Sequence, residues 1–272
     1  MGYSTVSKLK GDTENDELQY YGKIVVGFVG STGGNLDLIN LKYPSGDIMD
    51  YVSATEGLTL TKNRNTLVKV TGSDGGKVYV SNKYALQEFG IYHQGFINFD
   101  EVIGCENLTN LMLGYNPVTS QYEIKNFSFK KITDNLPNVT VITAYKTPLV
   151  GNLDELYLEG LTDLSAEGST SFTGTIDKLG KMPLLSTLKL SGYGIVGDLE
   201  GFVANRVAKC SQNSGSVNMD IFDTVGVKFN NVSTAGSSTL SWSASGDNIV
   251  VTWRNNTTTI HVNSDGTWTR VS

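Results

Sequence analysis

The chain of 272 residues has only two cysteines, two histidines and five prolines. Two cysteines, Cys105 and Cys210, are too few for a disulfide framework. His93 and His261 lie in segments of different character, which argues against a zinc site and against a histidine-based triad. Charge is sparse as well, at 18% of residues, with a formal net charge of −6. Phosphate contacts require clustered Lys and Arg. The densest basic run, Lys125 to Lys131, holds three lysines, so nucleic acid is not expected as a partner. No stretch approaches the roughly 20 apolar residues that span a bilayer, and membrane insertion is not expected. The first twenty residues also lack the apolar region of a secretory signal. The expectation is a protein used inside a cell or exported by a route the sequence does not show. Assembly into a virus particle in the cytoplasm would meet both conditions.

Catalytic patterns are missing too. Gly30-Ser-Thr-Gly-Gly-Asn35 follows a strand-like run but lacks the Lys-Ser/Thr that completes a phosphate loop. Carboxylates such as Asp154, Glu155, Asp198 and Glu200 recur with a repeat described next, which marks them as charges of its turn. Glycosidase-type catalysis needs two carboxylates facing one cleft about 5–9 Å apart, and nothing selects such a pair. No cofactor, no metal and no enzymatic activity are expected.

What is abundant is glycine (30 residues), with many Ser, Thr and Asn, a composition of β-structure with numerous turns. One short pattern recurs at equal spacing. Val150-Gly-Asn-Leu-Asp, Thr173-Gly-Thr-Ile-Asp and Val196-Gly-Asp-Leu-Glu start 23 residues apart. A second pattern travels with it as Leu108/Leu111/Leu113, Val139/Ile142/Ala144, Leu161/Leu164/Ala166 and Leu185/Leu188/Leu190. The last two members of each set are two residues apart, so they share one face of a strand. A unit of about 23 residues cannot bury its own apolar face and must stack on copies of itself. The glycine marks the turn where the chain leaves the far side, a place for positive φ. In such a stack Cys105 and Cys210 would lie roughly 19 Å apart at ~4.8 Å per rung, too far for a disulfide.

Residues 173–196 and the run Cys105 to Asn116 resemble leucine-rich repeat units, and the resemblance covers roughly residues 101–215. It implies a solenoid of parallel strands that serves as a binding scaffold. Four good rungs are expected, then a poor fifth around Val207, Cys210 and Gln212. Residues 1–100 read as a β-rich anchoring and capping module. Within them, Leu67 to Val80 is expected to form a hairpin around Thr71–Gly76, and Asn82 to Tyr92 a short helix. Residues 216–272 alternate cleanly through Leu240/Trp242, Ile249/Val251/Trp253, Ile260/Val262 and Trp268/Arg270, which predicts a four-stranded antiparallel meander. The fold class is therefore mainly β, a leucine-rich-repeat-like solenoid between an N-terminal β-rich module and a C-terminal antiparallel β-meander.

The outward positions of the solenoid strands form the one candidate binding surface: Asn110, Met112, Tyr115, Thr143, Tyr145, Asp163, Glu167, Thr187 and Lys189. Met112 and Tyr145 stand out as anchors, because hot spots favour large side chains. All three tryptophans lie in the C-terminal sheet, which is too small to cover itself; it is expected on the end of the solenoid or against another subunit, hence a homo-oligomer with a trimer as one option. The units are similar to those of proteins of the Bacteroides group and of the crAss-like phages that infect them. That resemblance implies a structural or adhesive virion protein of a tailed bacteriophage, a head fibre, capsid decoration or tail-associated protein. Its partners would be other virion proteins or a host surface. The alternative is a bacterial leucine-rich surface adhesin or interaction scaffold.

Overall fold

The computed structural model describes residues 22–28, 37–72, 75–92, 95–114, 124–145, 147, 149–168, 171–222 and 226–271. The chain is mainly β, and its largest element is a mixed sheet of thirteen strands. Six neighbours in its middle run parallel: Glu88–Tyr92, Asn110–Met112, Val141–Thr143, Asp163–Ala166, Thr187–Ser191 and Gly215–Phe222. One flank is closed by the antiparallel strands Asp37–Lys42, Leu67–Gly72 and Leu58–Arg64. Gly236–Ser245, Asn248–Trp253, Asn256–Val262 and Trp268–Arg270 extend the other flank as an antiparallel meander.

The leucine spacing explains the parallel run. Phe89, Leu111, Ile142, Leu164, Leu188 and Met219 are register partners from strand to strand, and each is at most 2% exposed. Two residues on, Leu113, Ala144, Ala166, Leu190 and Ile221 are buried as well. Leu108, Val139, Leu161 and Leu185 fill the approach to each strand. Leu161 follows Val139 by 22 residues and Leu185 follows Leu161 by 24, and the connecting segments absorb the difference without loss of register.

After each inward-facing strand the chain crosses to a second layer. Val150–Asn152, Ser171–Thr175, Gly194–Asp198 and Gly226–Phe229 pair in parallel there, with Val232–Ser233 antiparallel at the edge. Gly95–Asn98 and Ile124–Lys125 pair in parallel in a third sheet that also holds Ile24–Phe28, Lys77–Val80 and Val52–Ala54. One apolar core runs between the thirteen-strand sheet and these layers from end to end. It crosses residue 100, and the boundary at 215 falls at the start of a strand of the parallel run.

Short helical turns lead from the back layer to the next front strand. They are α1 (Phe129–Asn135), α2 (Ile176–Leu179), α3 (Leu199–Cys210) and the 3₁₀ turns Phe99–Glu101 and Leu153–Glu155. Ser128 caps α1 by accepting from the Lys131 amide at 3.1 Å, which satisfies an end donor the helix cannot satisfy itself. Where a unit is long, its turn is where the extra residues go: α3 has 12 residues and α2 has four.

Three expectations need correction. Leu67–Gly72 and Lys77–Val80 do not form a hairpin; the first pairs with Asp37–Lys42 and Leu58–Arg64, the second with Ile24–Phe28 and Val52–Ala54. Both runs bury alternate valines (Val68 and Val70, Val78 and Val80), so they face one another across the core instead of sharing an edge. Asn82 to Tyr92 is not a helix. Lys83–Ala85 makes a single 3₁₀ turn, and Glu88–Tyr92 is the first strand of the parallel run. A window with Tyr84, Leu86 and Phe89 suits either period; strand pairing on both sides decided it. Finally, the weak fifth rung at Val207 to Gln212 is displaced: Val207 and Cys210 belong to α3, and the strand comes at Gly215–Phe222.

Both cysteines are free. Burial pushes the Cys105 thiol up to about 12, which leaves it an inert core side chain. Two of the three tryptophans are covered within the chain, by α3 and its surroundings. Trp242 is 5% and Trp253 2% exposed. Arg206 of α3, itself buried, lies between the rings of Phe202 and Trp242 at 5.4 and 6.0 Å. It donates to the carbonyls of Pro183 at 2.6 Å and Leu185 at 3.0 Å. The Trp253 indole donates to Thr234 at 2.5 Å.

Candidate functional site

Eight of the nine residues proposed from the sequence lie on the outward face of the parallel strands; Tyr115 falls outside the described residues. Strand register brings them into columns. Asn110, Val141, Asp163 and Thr187 are successive neighbours in one. Met112, Thr143, Ser165 and Lys189 form the next. Tyr145 and Glu167 lie two residues beyond Thr143 and Ser165, in the turns that follow their strands. None is fully exposed, because each is flanked by side chains from the strands on either side.

The face carries several polar links. At one end Lys42 pairs with Glu88 at 3.2 Å, and Asn40 donates to the other oxygen of the same carboxylate at 3.2 Å. Tyr92 donates to the Met112 sulfur at 3.1 Å, so the methionine proposed as an anchor is held in place by its neighbour. Toward the other end Lys189 approaches Glu167 at 3.8 Å. Such half-exposed pairs contribute little to stability, on the order of 0–1 kcal/mol.

The residues just ahead of the strands have a structural task. Thr109 donates its hydroxyl to the Gln87 carbonyl at 3.0 Å, Thr140 to Thr109 at 3.3 Å, Thr162 to Thr140 at 3.0 Å and Ser186 to Thr162 at 3.2 Å. Each reaches back to the equivalent position of the unit before. Their hydroxyl protons therefore join units, which leaves only acceptor lone pairs for recognition.

The repeated carboxylates sit on the opposite side, at the start of the helical turns. Asp154 accepts from the Thr175 amide at 2.7 Å, Asp177 from the Asp198 amide at 2.8 Å and Glu200 from the Asn230 amide at 2.8 Å. The glycines of the repeat make room for them. A Cβ on Gly197 would lie 2.0 Å from Asp177 Oδ1, and Gly197 has φ +113°. Gly174, at φ +120°, is crowded by Asn152 and Asp154 in the same way. Burial works to raise the Asp154 carboxyl, but hydrogen bonds from Lys178 and Thr175 hold it below the usual range. Asp177 goes the other way: burial, with the charges of Asp198 and Glu200 beside it, pushes it up to about 6. Glu200, fully buried, also receives Arg270 of the last meander strand at 2.7 Å. No signal in the sequence linked those two, since a single acid and a single base 70 residues apart form no pattern.

The outward face continues beyond the residues expected from the sequence. Asn218, Asp220 and Phe222 project outward from the last parallel strand, and Thr187 and Lys189 are register partners of Asn218 and Asp220. The inward alternation Val217, Met219, Ile221 was the available signal. It was hidden because α3 moved the strand beyond the expected period. Thr187, Lys189, Asn218, Met219 and Asp220, with Ser237, Ser238 and Thr239 of the first meander strand, surround an open depression of about 310 Å³. Among the described residues no group of three His, Cys, Asp or Glu side chains is placed to hold a metal ion, and no helix is long and apolar enough to cross a membrane. No family model, curated protein or solved structure matches the chain.

Proposed function

We propose that the parallel run is a leucine-rich-repeat-like solenoid and that the chain is a non-enzymatic scaffold which uses its outward face for contact with a protein or a host surface. The observation that carries this reading is the register. Six parallel strands keep their buried columns aligned, front and back strands alternate along the chain, and ordered columns of mostly polar side chains result on the outward face. A surface of that kind presents many weak contacts in fixed positions, which suits recognition better than chemistry on a bound substrate.

The setting we propose is the virion of a tailed bacteriophage, as head fibre, capsid decoration or tail-associated protein. What supports it is the likeness of the repeat units to those of Bacteroides-group and crAss-like phage proteins. Mass spectrometry of purified particles tests it: the protein is expected in stoichiometric amounts. Its absence from particles, with recovery in a cell-envelope fraction, would replace the virion setting with that of a bacterial surface adhesin.

A further inference from the structure

We propose that the depression between Lys189 and Asp220 is a binding site for a single sugar ring of a glycan. The inference deepens the reading of the outward face as a recognition surface and rests on it. Two charges on its walls do not meet. Lys189 and Asp220 are register partners on neighbouring strands, about 4.8 Å apart at the backbone. Opposite charges so placed ordinarily pair. Here Lys189 leans to Glu167 on one side, and Asp220 accepts the Ser237 hydroxyl on the other. The parting opens the depression and leaves a donor wall facing an acceptor wall.

The rest of the lining narrows the ligand. Asn218, Thr187, Ser238 and Thr239 add an amide and hydroxyls, groups that both give and accept hydrogen bonds. Thr239 already donates to Asn218 Oδ1 at 3.0 Å, which fixes the carboxamide and leaves its NH₂ pointing elsewhere. Net charge across the lining is near balance, so a phosphate or sulfate has no excess of cations to hold it. A volume of about 310 Å³ is at the small end of ligand sites, enough for one ring and too little for a folded peptide segment. Phe222 is outside the lining, one outward position beyond Asp220 on the same strand, and keeps 43% of its surface exposed. An exposed ring next to convergent hydroxyl, amide and carboxylate groups offers an apolar face for the C–H side of a pyranose while its hydroxyls bridge Lys189 and Asp220.

The test is titration of the full chain with free hexoses, N-acetylhexosamines and uronic acids, and separately with free amino acids, followed by amide chemical shifts. At least one saccharide is expected to saturate in the millimolar range with shifts at Asn218, Asp220 and Ser238. Asp220→Asn, which keeps an acceptor for Ser237, and Phe222→Ser are each expected to weaken that binding about tenfold, the effect of losing one charge-assisted bond or one stacking face. Unchanged thermal melting of both variants keeps a folding defect from mimicking the result. The proposal is overturned if no saccharide binds, if both variants bind as the parent does, or if a zwitterionic amino acid occupies the site instead. It fails separately from the scaffold reading. Attachment to particles or cells that survives periodate oxidation of their glycans keeps the scaffold and removes the sugar. Saccharide binding by a protein absent from particles keeps the sugar and removes the virion setting.

Discussion

Front and back of the repeated units join their neighbours by different rules. On the front, strand register follows the leucine pattern: Leu111, Ile142, Leu164 and Leu188 stand directly beside one another. On the back it does not. Val150 pairs with Ser171, 21 residues on, and Thr173 with Gly194, again 21 on, although the sequence repeats every 23. The back strands therefore slide by two residues at each step. That slide sets Asp154 against the amide of Thr175 and Asp177 against that of Asp198, both 21 residues ahead. The period of a sequence repeat thus measures the length of chain per unit, and the register of each layer is decided separately by what its side chains must reach.

The comparison predicts that damage on the back costs more than damage on the front. The largest effect is expected at the end of the row, where Glu200 is wholly buried and its partner is Arg270. Arg270→Ala leaves a buried carboxylate without its cation, a change that costs about 3–5 kcal/mol. Urea unfolding should show it, and Glu200→Gln in the same chain should recover part of the loss. An Arg270→Ala protein as stable as the parent would mean that α3 and the meander do not depend on this pair. Next comes Gly197→Ala. The new methyl meets Asp177 Oδ1 and forces an unfavourable φ, together about 3 kcal/mol from strain and the loss of one charge-assisted bond. If Gly75→Ala, which shares a positive φ but whose new methyl meets nothing within 4 Å, destabilised as much, the contact with Asp177 would not be the reason for the glycine.

Front-side logic was readable in the sequence because it is local. Leu108/Leu111/Leu113 and its counterparts name their own face by spacing, and every member is buried. The alternation from Leu240 to Arg270 named the meander for the same reason. The carboxylates were recognised as part of the turn, but their bonding could not be: an acid that repeats every 23 residues gives no hint that its partner lies at 21. The outward face was legible up to Lys189 and lost afterwards, because a helix of variable length moved the next strand. The misread pair Leu67–Gly72 and Lys77–Val80 teaches the converse. Two alternating strands around a glycine loop fit a hairpin or a crossing between layers equally well, and the other strands of each sheet settle which.

Within the back row a smaller effect separates Asp154 from Asp177. Lys178 bonds Asp154 at 2.6 Å, whereas among the described residues no cation pairs with Asp177. Asp177 is raised to about 6 from an ordinary value near 3.8. Between those values the folded state binds more protons than the unfolded one, so this group lowers stability as pH rises from about 4 to 6. Asp177→Asn keeps an acceptor for the Asp198 amide and removes that slope, a change on the order of 1 kcal/mol once partial exposure is allowed for. Asp154 has the opposite sign. Its depressed carboxyl contributes stability above the ordinary carboxylate range that is lost as pH falls, so Asp154→Asn should flatten the acid side of the profile. Identical profiles for the two variants would show that Lys178 does not distinguish them.

The smallest effect belongs to the front ladder. Thr109→Val removes a hydroxyl bond at nearly constant volume, but the Gln87 carbonyl it reaches already accepts the amides of Thr109 at 2.8 Å and Asn110 at 3.2 Å. No buried group is left without a partner, and the expected cost is about 0.5 kcal/mol, the low end for a hydrogen bond. The same holds for Thr140 and Thr162, whose target carbonyls also receive two amides. A shift in the urea midpoint several times larger would overturn the contrast between the two sides. It would mean that hydroxyls, and not the leucine columns behind them, hold the front strands in register.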